Sequence, residues 1–184
     1  MILLNLKIDH TWTLFLDRDG VINRRIVGNY AKSCDQFEFI PGVLDAIRQF
    51  SLIFGKIIVV TNQQGIGKGL MSREDVTAIH QQMMRDIEQV GGHIDAVFFS
   101  PHLESDHNFN RKPGIGMALQ ARKKYPEIHF KKSVMAGDSR SDMLFGKRSG
   151  MKTVLISDDP KVAKDYPGMV DFFFPDLITF SNMF

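Results

Sequence analysis

Short apolar runs recur along this chain and alternate with segments of helical periodicity, and the run over 57–60 is rich in β-branched residues. Such runs are typical of strands that are covered on both faces, as in a parallel sheet. Five runs predict strands and the last one is a candidate sixth: 13–16, 57–60, 94–99, 133–136, 153–156 and 170–174. The length of 184 residues suits one domain, so residues 1–184 are predicted to form a single domain around one sheet.

Helices are predicted between the strands. Ser72 forms a capping box with Asp75 at the start of one helix, and Gly150 is a natural end for another over 141–149. Pro113 is expected in the first turn of a further helix. This order of elements predicts an α/β fold with a doubly wound, Rossmann-like parallel sheet, in which ligands bind at the carboxyl ends of the strands.

Charge and composition exclude several classes of protein. The net charge of +2 provides no strong field for nucleic acid or an acidic membrane. The only cysteine is Cys34, so no disulfide can form within the chain. No apolar run approaches the roughly 18 residues that a membrane helix needs, and residues 1–10 are too polar for a secretory signal. We therefore expect a cytoplasmic monomer without nucleic-acid or membrane partners.

The first candidate site follows the first predicted strand. Asp17 and Asp19 lie two residues apart, and Gly20 lets the backbone turn sharply directly after them. One carboxylate could attack a phosphorus atom while the other donates and recovers a proton. The alternative is an ordinary surface turn, because Asp-Gly pairs are common in turns.

Two further groups offer ligands for phosphate. Thr61, Asn62 and Gln63 follow the second predicted strand, where a hydroxyl and two amides could hold phosphate oxygens. Arg111 and Lys112 precede the predicted helix start, and two cations there indicate a nearby anion or carboxylate cluster. A strand-end cap for the hydroxyl and a solvated basic turn for the cations are the simpler alternatives.

The fourth group is Asp138 and Asp142, which lie one helical turn apart after the fourth predicted strand. Oxygen ligands of this kind suit Mg²⁺, which usually binds one or two carboxylates and keeps several waters. The alternative is an ordinary helix with Asp138 as its N-cap. All four groups stand at strand or helix ends, so the predicted fold would bring them to one edge of the sheet.

The four groups together resemble the motifs of the haloacid-dehalogenase superfamily of phosphohydrolases. In chain order they are an Asp-x-Asp-Gly segment, a strand-end threonine, a lysine and a Gly-Asp-x-x-x-Asp segment. The resemblance spans about residues 14–157. It implies a magnesium-dependent phosphomonoester hydrolase that acts through an aspartyl-phosphate, on a haloacid-dehalogenase-like fold without a large cap domain. The resemblance implies that Asp17 is the nucleophile and that Asp19 is the general acid and base. It implies that Thr61 and Lys112 bind the phosphate, and that Mg²⁺ is held by Asp17, the Asp19 carbonyl and Asp138, with Asp142 helping to fix the metal or Lys112. The implied substrate contacts are Asn62, Gln63, Arg111 and Arg140.

Within that superfamily, residues 17–23, 37–43, 59–66 and 111–113 resemble the branch of heptose 1,7-bisphosphate and histidinol-phosphate phosphatases. The resemblance implies a small phosphorylated metabolite as partner, and heptose bisphosphate losing its 7-phosphate is the leading hypothesis. Histidinol phosphate or another sugar phosphate is the alternative within the class, and a non-catalytic phospholigand-binding module is the alternative outside it. A proton donor must be protonated, so the pKa of Asp19 is expected to lie well above that of Asp17.

The chain departs from this branch just before Arg111. Members usually carry a zinc loop with a Cys-x-His and a Cys-x-Cys pair, and of these ligands the chain keeps only His102. Serine and asparagine do not replace thiolates, so structural zinc is predicted to be absent. Ser139 stands where the branch often has lysine or arginine, so either Arg140 takes over that contact or a phosphate contact is lost.

Overall fold

The structure is a computed structural model that describes residues 6–26 and 28–184. Within this part of the chain, six strands form one sheet in which every neighbouring pair is parallel. The strands are β1 (Thr13–Leu16), β2 (Lys56–Asn62), β3 (Ala96–Ser100), β4 (Ser133–Gly137), β5 (Lys152–Ile156) and β6 (Phe172–Phe174). The α-helices of the same residues are α1 (Val43–Ser51), α2 (Arg73–Gln89), α3 (Gly116–Lys124), α4 (Arg140–Ser149) and α5 (Leu177–Ser181).

The strand order is β3-β2-β1-β4-β5-β6, which confirms the predicted doubly wound α/β fold. The chain builds outward from β1 on one side and then returns to β4 on the other side. The topological switch point therefore lies at the carboxyl ends of β1 and β4. The single-domain organisation of residues 1–184 stays a prediction.

The central strand β1 is held by two hydrophobic cores. Leu14 and Leu16 contribute to a core shared with α1, α2 and α5, and Phe15 contributes to a core shared with α3 and α4. All three side chains are fully buried, and each such burial contributes about 1.5–3 kcal/mol to folding. The residue that follows β1 therefore starts from a rigid support.

The connection from β1 to α1 is where a cap domain could be inserted. Its described residues contain one short 3-10 turn, Cys34–Gln36, and no separate sheet or α-helix. The predicted lack of a large cap is confirmed for the described residues. Among these residues, no helix has both the length and the apolar character needed to span a membrane.

Most predicted element boundaries agree with the structure near the site. The capping box of α2 is confirmed, since the backbone N–H of Asp75 donates to Ser72 Oγ at 3.0 Å and that of Ser72 donates to Asp75 Oδ2 at 2.8 Å. β2 continues through Thr61 and Asn62, which the sequence placed just after the strand, because both residues still pair with β3.

The predicted helix start at Pro113 is wrong. The segment before α3 forms a turn in which Gly114 N–H donates to Arg111 O at 2.7 Å and Gly116 N–H donates to Phe109 O at 3.0 Å. These bonds hold the backbone in a loop until α3 begins at Gly116. Arg111 and the residue after it therefore lie outside the helix, and the helix dipole does not explain their charges.

Candidate active site

Asp17 lies at the end of β1 and forms the floor of a cavity. Its backbone N–H donates to Ala136 O at 2.9 Å, which extends the pairing with β4 by one residue. The chain then turns tightly, because Val21, Ile22 and Asn23 all donate their N–H groups to the same carbonyl of Arg18. The Asp17 side chain is only 9% exposed, and it lines the cavity.

Lys112 is buried beneath this carboxylate. Its Nζ atom lies 2.8 Å from Asp17 Oδ1 and 2.6 Å from Asp142 Oδ1, and it donates a hydrogen bond of 2.7 Å to Val60 O. Burial lowers the pKa of Lys112, but the attraction of Asp142 and Asp17 outweighs burial, and the net pKa is raised. The lysine is therefore a fixed positive charge.

Asn62 holds the backbone of this lysine. Its Oδ1 atom accepts from the Lys112 N–H at 2.9 Å, and its Nδ2 atom donates to the Lys112 carbonyl at 3.0 Å. This paired contact fixes the start of the long lysine side chain. Asn62 also lines the cavity, but its amide is mainly used on Lys112.

The Asp19 carboxylate receives hydrogen bonds from three side chains. Arg18 donates to Oδ1 at 2.8 Å and to Oδ2 at 3.0 Å, Asn23 donates to Oδ1 at 3.0 Å, and Gln63 donates to Oδ2 at 2.7 Å. Burial raises the pKa of Asp19, but the charge of Arg18 and these hydrogen bonds outweigh it, and the pKa is lowered.

A residue of α2 lies behind the Arg18 guanidinium. His80 Nε2 is 3.0 Å from Arg18 Nη1, and Arg18 is fully buried. Since a guanidinium has no acceptor, the histidine must accept this hydrogen bond as a neutral ring. Burial and the charge of Arg18 lower the pKa of His80 to about 3, which agrees with that form.

Carboxylates converge beside Asp17 at the switch point. Oxygen atoms of Asp17, Asp138 and Asp142 lie within 4.8 Å of one another. Burial, followed by repulsion from Asp142, raises the pKa of Asp17 to about 6, and burial with the charges of Asp17 and Asp142 raises the pKa of Asp138 to about 8. This crowding of buried negative charge favours binding of a cation.

These donors fit Mg²⁺, because hard divalent cations prefer carboxylate and carbonyl oxygens. Asp138 directly follows β4, and Ser139 caps α4, with Asp142 as its capping-box partner. Both oxygens of Asp142 already have partners, Lys112 at Oδ1 and Ser139 at Oδ2, so this carboxylate supports the lysine. The carboxylates of Asp17 and Asp138 therefore remain as candidate ligands, together with the predicted carbonyl of Asp19.

Gly20 makes room for this arrangement. Its φ angle of +92° lies in the left-handed region that favours glycine. A Cβ atom at this position would overlap the carboxylate of Asp138. A side chain at residue 20 would therefore disturb the candidate metal site.

The cavity above Asp17 has a volume of about 450 Å³. It is lined by Asp17, Asp19, Arg25, Ile26, Gly28, Asn29, Tyr30, Ala31, Thr61, Asn62, Gln64, Lys68, Arg111, Lys112, Ser139 and Ser141. Lys68 Nζ donates to Tyr30 Oη at 3.3 Å, which joins the loop after β2 to the loop after β1 across the cavity. The size suits a small molecule, and the lining suits an anionic one.

Comparisons with known proteins agree with this geometry. A family model described as HAD-hydrolase-like matches residues 109–178. A curated relative from Mycobacterium bovis, named D-glycero-alpha-D-manno-heptose-1,7-bisphosphate 7-phosphatase, is 42% identical over 137 residues, which covers 74% of this chain and 72% of the relative. The chain belongs to the haloacid-dehalogenase-like hydrolases. This membership confirms the predicted family and the predicted enzyme class.

Two other members of this family are similar over more of the chain. A relative from Helicobacter pylori, named D-glycero-beta-D-manno-heptose-1,7-bisphosphate 7-phosphatase, is 32% identical over 167 residues, which covers 86% of this chain and 95% of the relative. The crystal structure of D,D-heptose 1,7-bisphosphate phosphatase from B. bronchiseptica, complexed with magnesium and phosphate, has a TM-score of 0.83 and 29% identity, and the match covers 94% of this chain and 97% of that one.

In this haloacid-dehalogenase-like hydrolase, two predicted substrate contacts lie elsewhere. Gln63 is fully buried behind Asp19 and does not line the cavity, because its amide also donates to Thr61 Oγ1 at 2.9 Å. Arg140, the exposed first residue of α4, lines a neighbouring cavity of about 650 Å³ that Arg111 also borders. The residue before Arg140, Ser139, lines the cavity above Asp17.

The expected order of the two aspartate pKa values is also wrong. The pKa of Asp17 is raised by burial, whereas the pKa of Asp19 is lowered. The reason is Arg18, which sequence reasoning missed together with His80. Arg18 is the middle residue of the Asp-x-Asp-Gly segment, a position to which the motif assigns no role. A histidine in the apolar stripe of α2 was the available signal for His80.

Proposed function

We propose that the protein hydrolyses a phosphate monoester through an aspartyl-phosphate on Asp17, with Mg²⁺ as cofactor. The observation that carries this proposal is the position of Asp17. Its carboxylate faces the cavity, lies 2.8 Å from Lys112 Nζ and converges with Asp138. A nucleophile, a fixed cation and a set of oxygen ligands for a metal thus meet at one point.

In the first half of the proposed reaction, a carboxylate oxygen of Asp17 forms a bond to phosphorus while the bond to the leaving oxygen breaks. Lys112 and Thr61 stabilise the oxygens of the phosphoryl group. Mg²⁺, held by Asp17, the Asp19 carbonyl and Asp138, would supply further positive charge against the dianion. Asp19 protonates the leaving alkoxide.

In the second half, Asp19 takes a proton from water, and the oxygen of that water attacks the phosphorus of the aspartyl-phosphate. Phosphate is released and the Asp17 carboxylate is restored. The lowered pKa of Asp19 suits this base role. A bound phosphate dianion raises the pKa of a neighbouring carboxyl group, which favours the protonated form that the first half needs.

We further propose that the substrate is a heptose 1,7-bisphosphate and that its 7-phosphate is removed. The relatives from M. bovis and H. pylori carry that activity in their names. Arg25, Lys68 and Arg111 line the cavity in addition to Lys112, so positive charge remains for a second phosphate. A substrate with phosphates at both ends uses more of this lining than a monophosphate.

The experiment is a comparison of kcat/KM for phosphate release from both anomers of heptose 1,7-bisphosphate, histidinol phosphate and simple hexose phosphates, with Mg²⁺ present. Both anomers are needed because the relatives are named for different ones. We expect a heptose bisphosphate to be preferred. A preference of more than about tenfold for another substrate, equal to about 1.4 kcal/mol in the transition state, would remove the heptose assignment and keep the phosphatase assignment.

Replacement of Arg111 is predicted to impair recognition of the second phosphate. Arg111→Ala should raise KM for a bisphosphate by about 10- to 100-fold, the scale of one charge-assisted hydrogen bond of about 1.5–3 kcal/mol. The affinity for metal should not change, because Arg111 contacts none of the proposed ligands. Arg85→Ala, on the exposed face of α2, is the matched control. Equal losses for bisphosphate and monophosphate substrates would contradict this role.

The purified protein is predicted to hold no stoichiometric structural zinc. In the loop that precedes Arg111, two candidate zinc ligands, His102 Nδ1 and Asp106 Oδ2, lie 3.8 Å apart. Asp106 Oδ2 already accepts a hydrogen bond from the Leu103 N–H at 2.9 Å. Elemental analysis of the protein as purified measures the metal content. About one tightly held zinc per chain would overturn the prediction and point to His102 and His107 with nearby carboxylates as ligands.

A further inference from the structure

Arg25 bridges two oxygens of the proposed metal site. Its Nη2 atom donates to the Asp19 carbonyl at 3.0 Å and to Asp138 Oδ1 at 2.9 Å. These are two of the three groups that the proposed function assigns to Mg²⁺. A nitrogen that contacts both oxygens lies in the space between them, which is also where a cation bound by both would lie.

The charges around Arg25 explain its position. Lys112 is fully buried and paired with Asp17 and Asp142, and among the described residues Arg25 is the cation paired with Asp138. Four carboxylates attract its guanidinium, and their charges raise the pKa of Arg25 although burial opposes the rise. The arginine therefore offsets the charge of Asp138 by direct contact, whereas Lys112 acts on that charge only from a distance.

The arginine is also free to leave. Its side chain is 52% exposed, whereas that of Asp138 is 17% exposed. It passes over Gly20, where a Cβ atom would lie 3.5 Å from Arg25 Nε, and it lines the cavity above Asp17. A half-exposed arginine beside an open cavity can turn into that cavity without unpacking the core.

We propose that Arg25 is a tethered counter-cation that competes with the divalent metal for the Asp19 carbonyl and the Asp138 carboxylate. This inference rests on the metal site of the proposed function. Arg25 stabilises the acidic cluster when the metal is withheld, and it lowers the apparent affinity for the metal. When the metal binds, the guanidinium moves into the cavity, where substrate phosphate is the available anion.

Two possible roles of Arg25 predict opposite effects of its removal on metal affinity. If Arg25 only oriented Asp138 for the metal, its removal would weaken metal binding. If Arg25 competes, its removal strengthens metal binding, because the ligands are no longer occupied for part of the time. An arginine that occupies the ligands about four-fifths of the time lowers the apparent affinity about fivefold.

The experiment measures Mn²⁺ binding by calorimetry and by electron paramagnetic resonance, without substrate. Arg25→Gln should bind Mn²⁺ about fivefold more tightly than the wild type. It should also melt at a lower temperature than the wild type in a chelator and gain more from added Mg²⁺. Arg24→Gln is the matched control, because Arg24 pairs with Glu38 at 2.7 Å and both side chains are largely exposed.

Unchanged or weaker Mn²⁺ binding by Arg25→Gln would overturn the inference and leave the proposed function in place. Asp138→Asn should abolish tight binding, which identifies the measured site. Binding by Arg25→Gln but not by the wild type would support competition in its strongest form. Failure of both proteins to bind Mn²⁺, together with no phosphate release by the wild type, would overturn the proposed function and the inference with it.

Discussion

Asp17→Asn is expected to abolish phosphate release while the protein keeps its fold. An amide nitrogen does not attack phosphorus, so no aspartyl-phosphate can form. Removal of a covalent nucleophile lowers kcat by on the order of 10⁴-fold or more. The change is nearly isosteric, and burial already disfavours the charge of Asp17, whose pKa is raised to about 6. The thermal midpoint should therefore change little.

Phosphate release under saturating substrate and Mg²⁺ measures the effect, with thermal melting as the check on folding. Asp45→Asn is the matched control, because Asp45 lies on the exposed face of α1. Intact mass must exclude deamidation of the new asparagine back to aspartate. Turnover within about 100-fold of the wild type, a barrier difference of about 2.7 kcal/mol, would exclude Asp17 as the nucleophile.

The fold could be predicted because local and global signals agree in this chain. The runs that became β1, β2 and β4 are largely apolar, and that of β2 is also rich in β-branched residues; each becomes a strand buried on both faces. Parallel strands place their carboxyl ends at one edge, so the residues that follow them meet in space. This geometry brings Asp17 and Asp138 together, although they are far apart in sequence.

Lys112 was harder to place from sequence. Its role as a phosphate ligand depended on the family resemblance, because the residues alone indicated only two cations near an anion or a carboxylate cluster. The structure explains its position by Asn62, whose amide binds the Lys112 backbone on both sides. Pro113 was misread because proline suits both a helix start and a tight loop, and only the hydrogen bonds of the loop distinguish these conformations.

The surroundings of Asp19 could not be predicted because they depend on long-range packing. His80 comes from α2 and contacts Arg18 only after that helix packs against the sheet. Sequence spacing gives no sign of that contact, nor of the hydrogen bond from Gln63 to Asp19. The pKa order of two carboxylates depends on such neighbours, and a motif read in isolation therefore gave the wrong order.

Lys112→Met is expected to lower both stability and activity by large amounts. The lysine is 1% exposed, and its removal leaves the buried carboxylates of Asp17 and Asp142 without their cation. Breaking a buried ion pair on one side costs about 3–5 kcal/mol. In a chain of this length that loss lowers the thermal midpoint by roughly 10 °C. The loss of one charge from the transition state should lower kcat/KM by about 10²- to 10³-fold in addition.

The double variant Lys112→Met/Asp142→Asn separates these two effects. Removing both partners of the Lys112–Asp142 pair relieves the unpaired charge of Asp142, so part of the lost stability should return, although Asp17 still lacks its cation. Asparagine keeps an acceptor for the Ser139 N–H, which Asp142 Oδ2 accepts at 3.1 Å. Activity should stay low, because the phosphate still lacks its cation.

Lys147→Met is the matched control for this pair of effects. Lys147 Nζ lies 2.7 Å from Asp171 Oδ1, but the two side chains are 32% and 24% exposed. Partly exposed ion pairs contribute at most about 1 kcal/mol, so this variant should lose little stability and no activity. Recovery of activity along with stability in the double variant would show that Lys112 acts only as the counter-charge of Asp142. If the double variant regains stability but not activity, the broken pair of Lys112 with Asp142 does not account for the lost activity. Lys112 then acts on the phosphoryl group of the substrate.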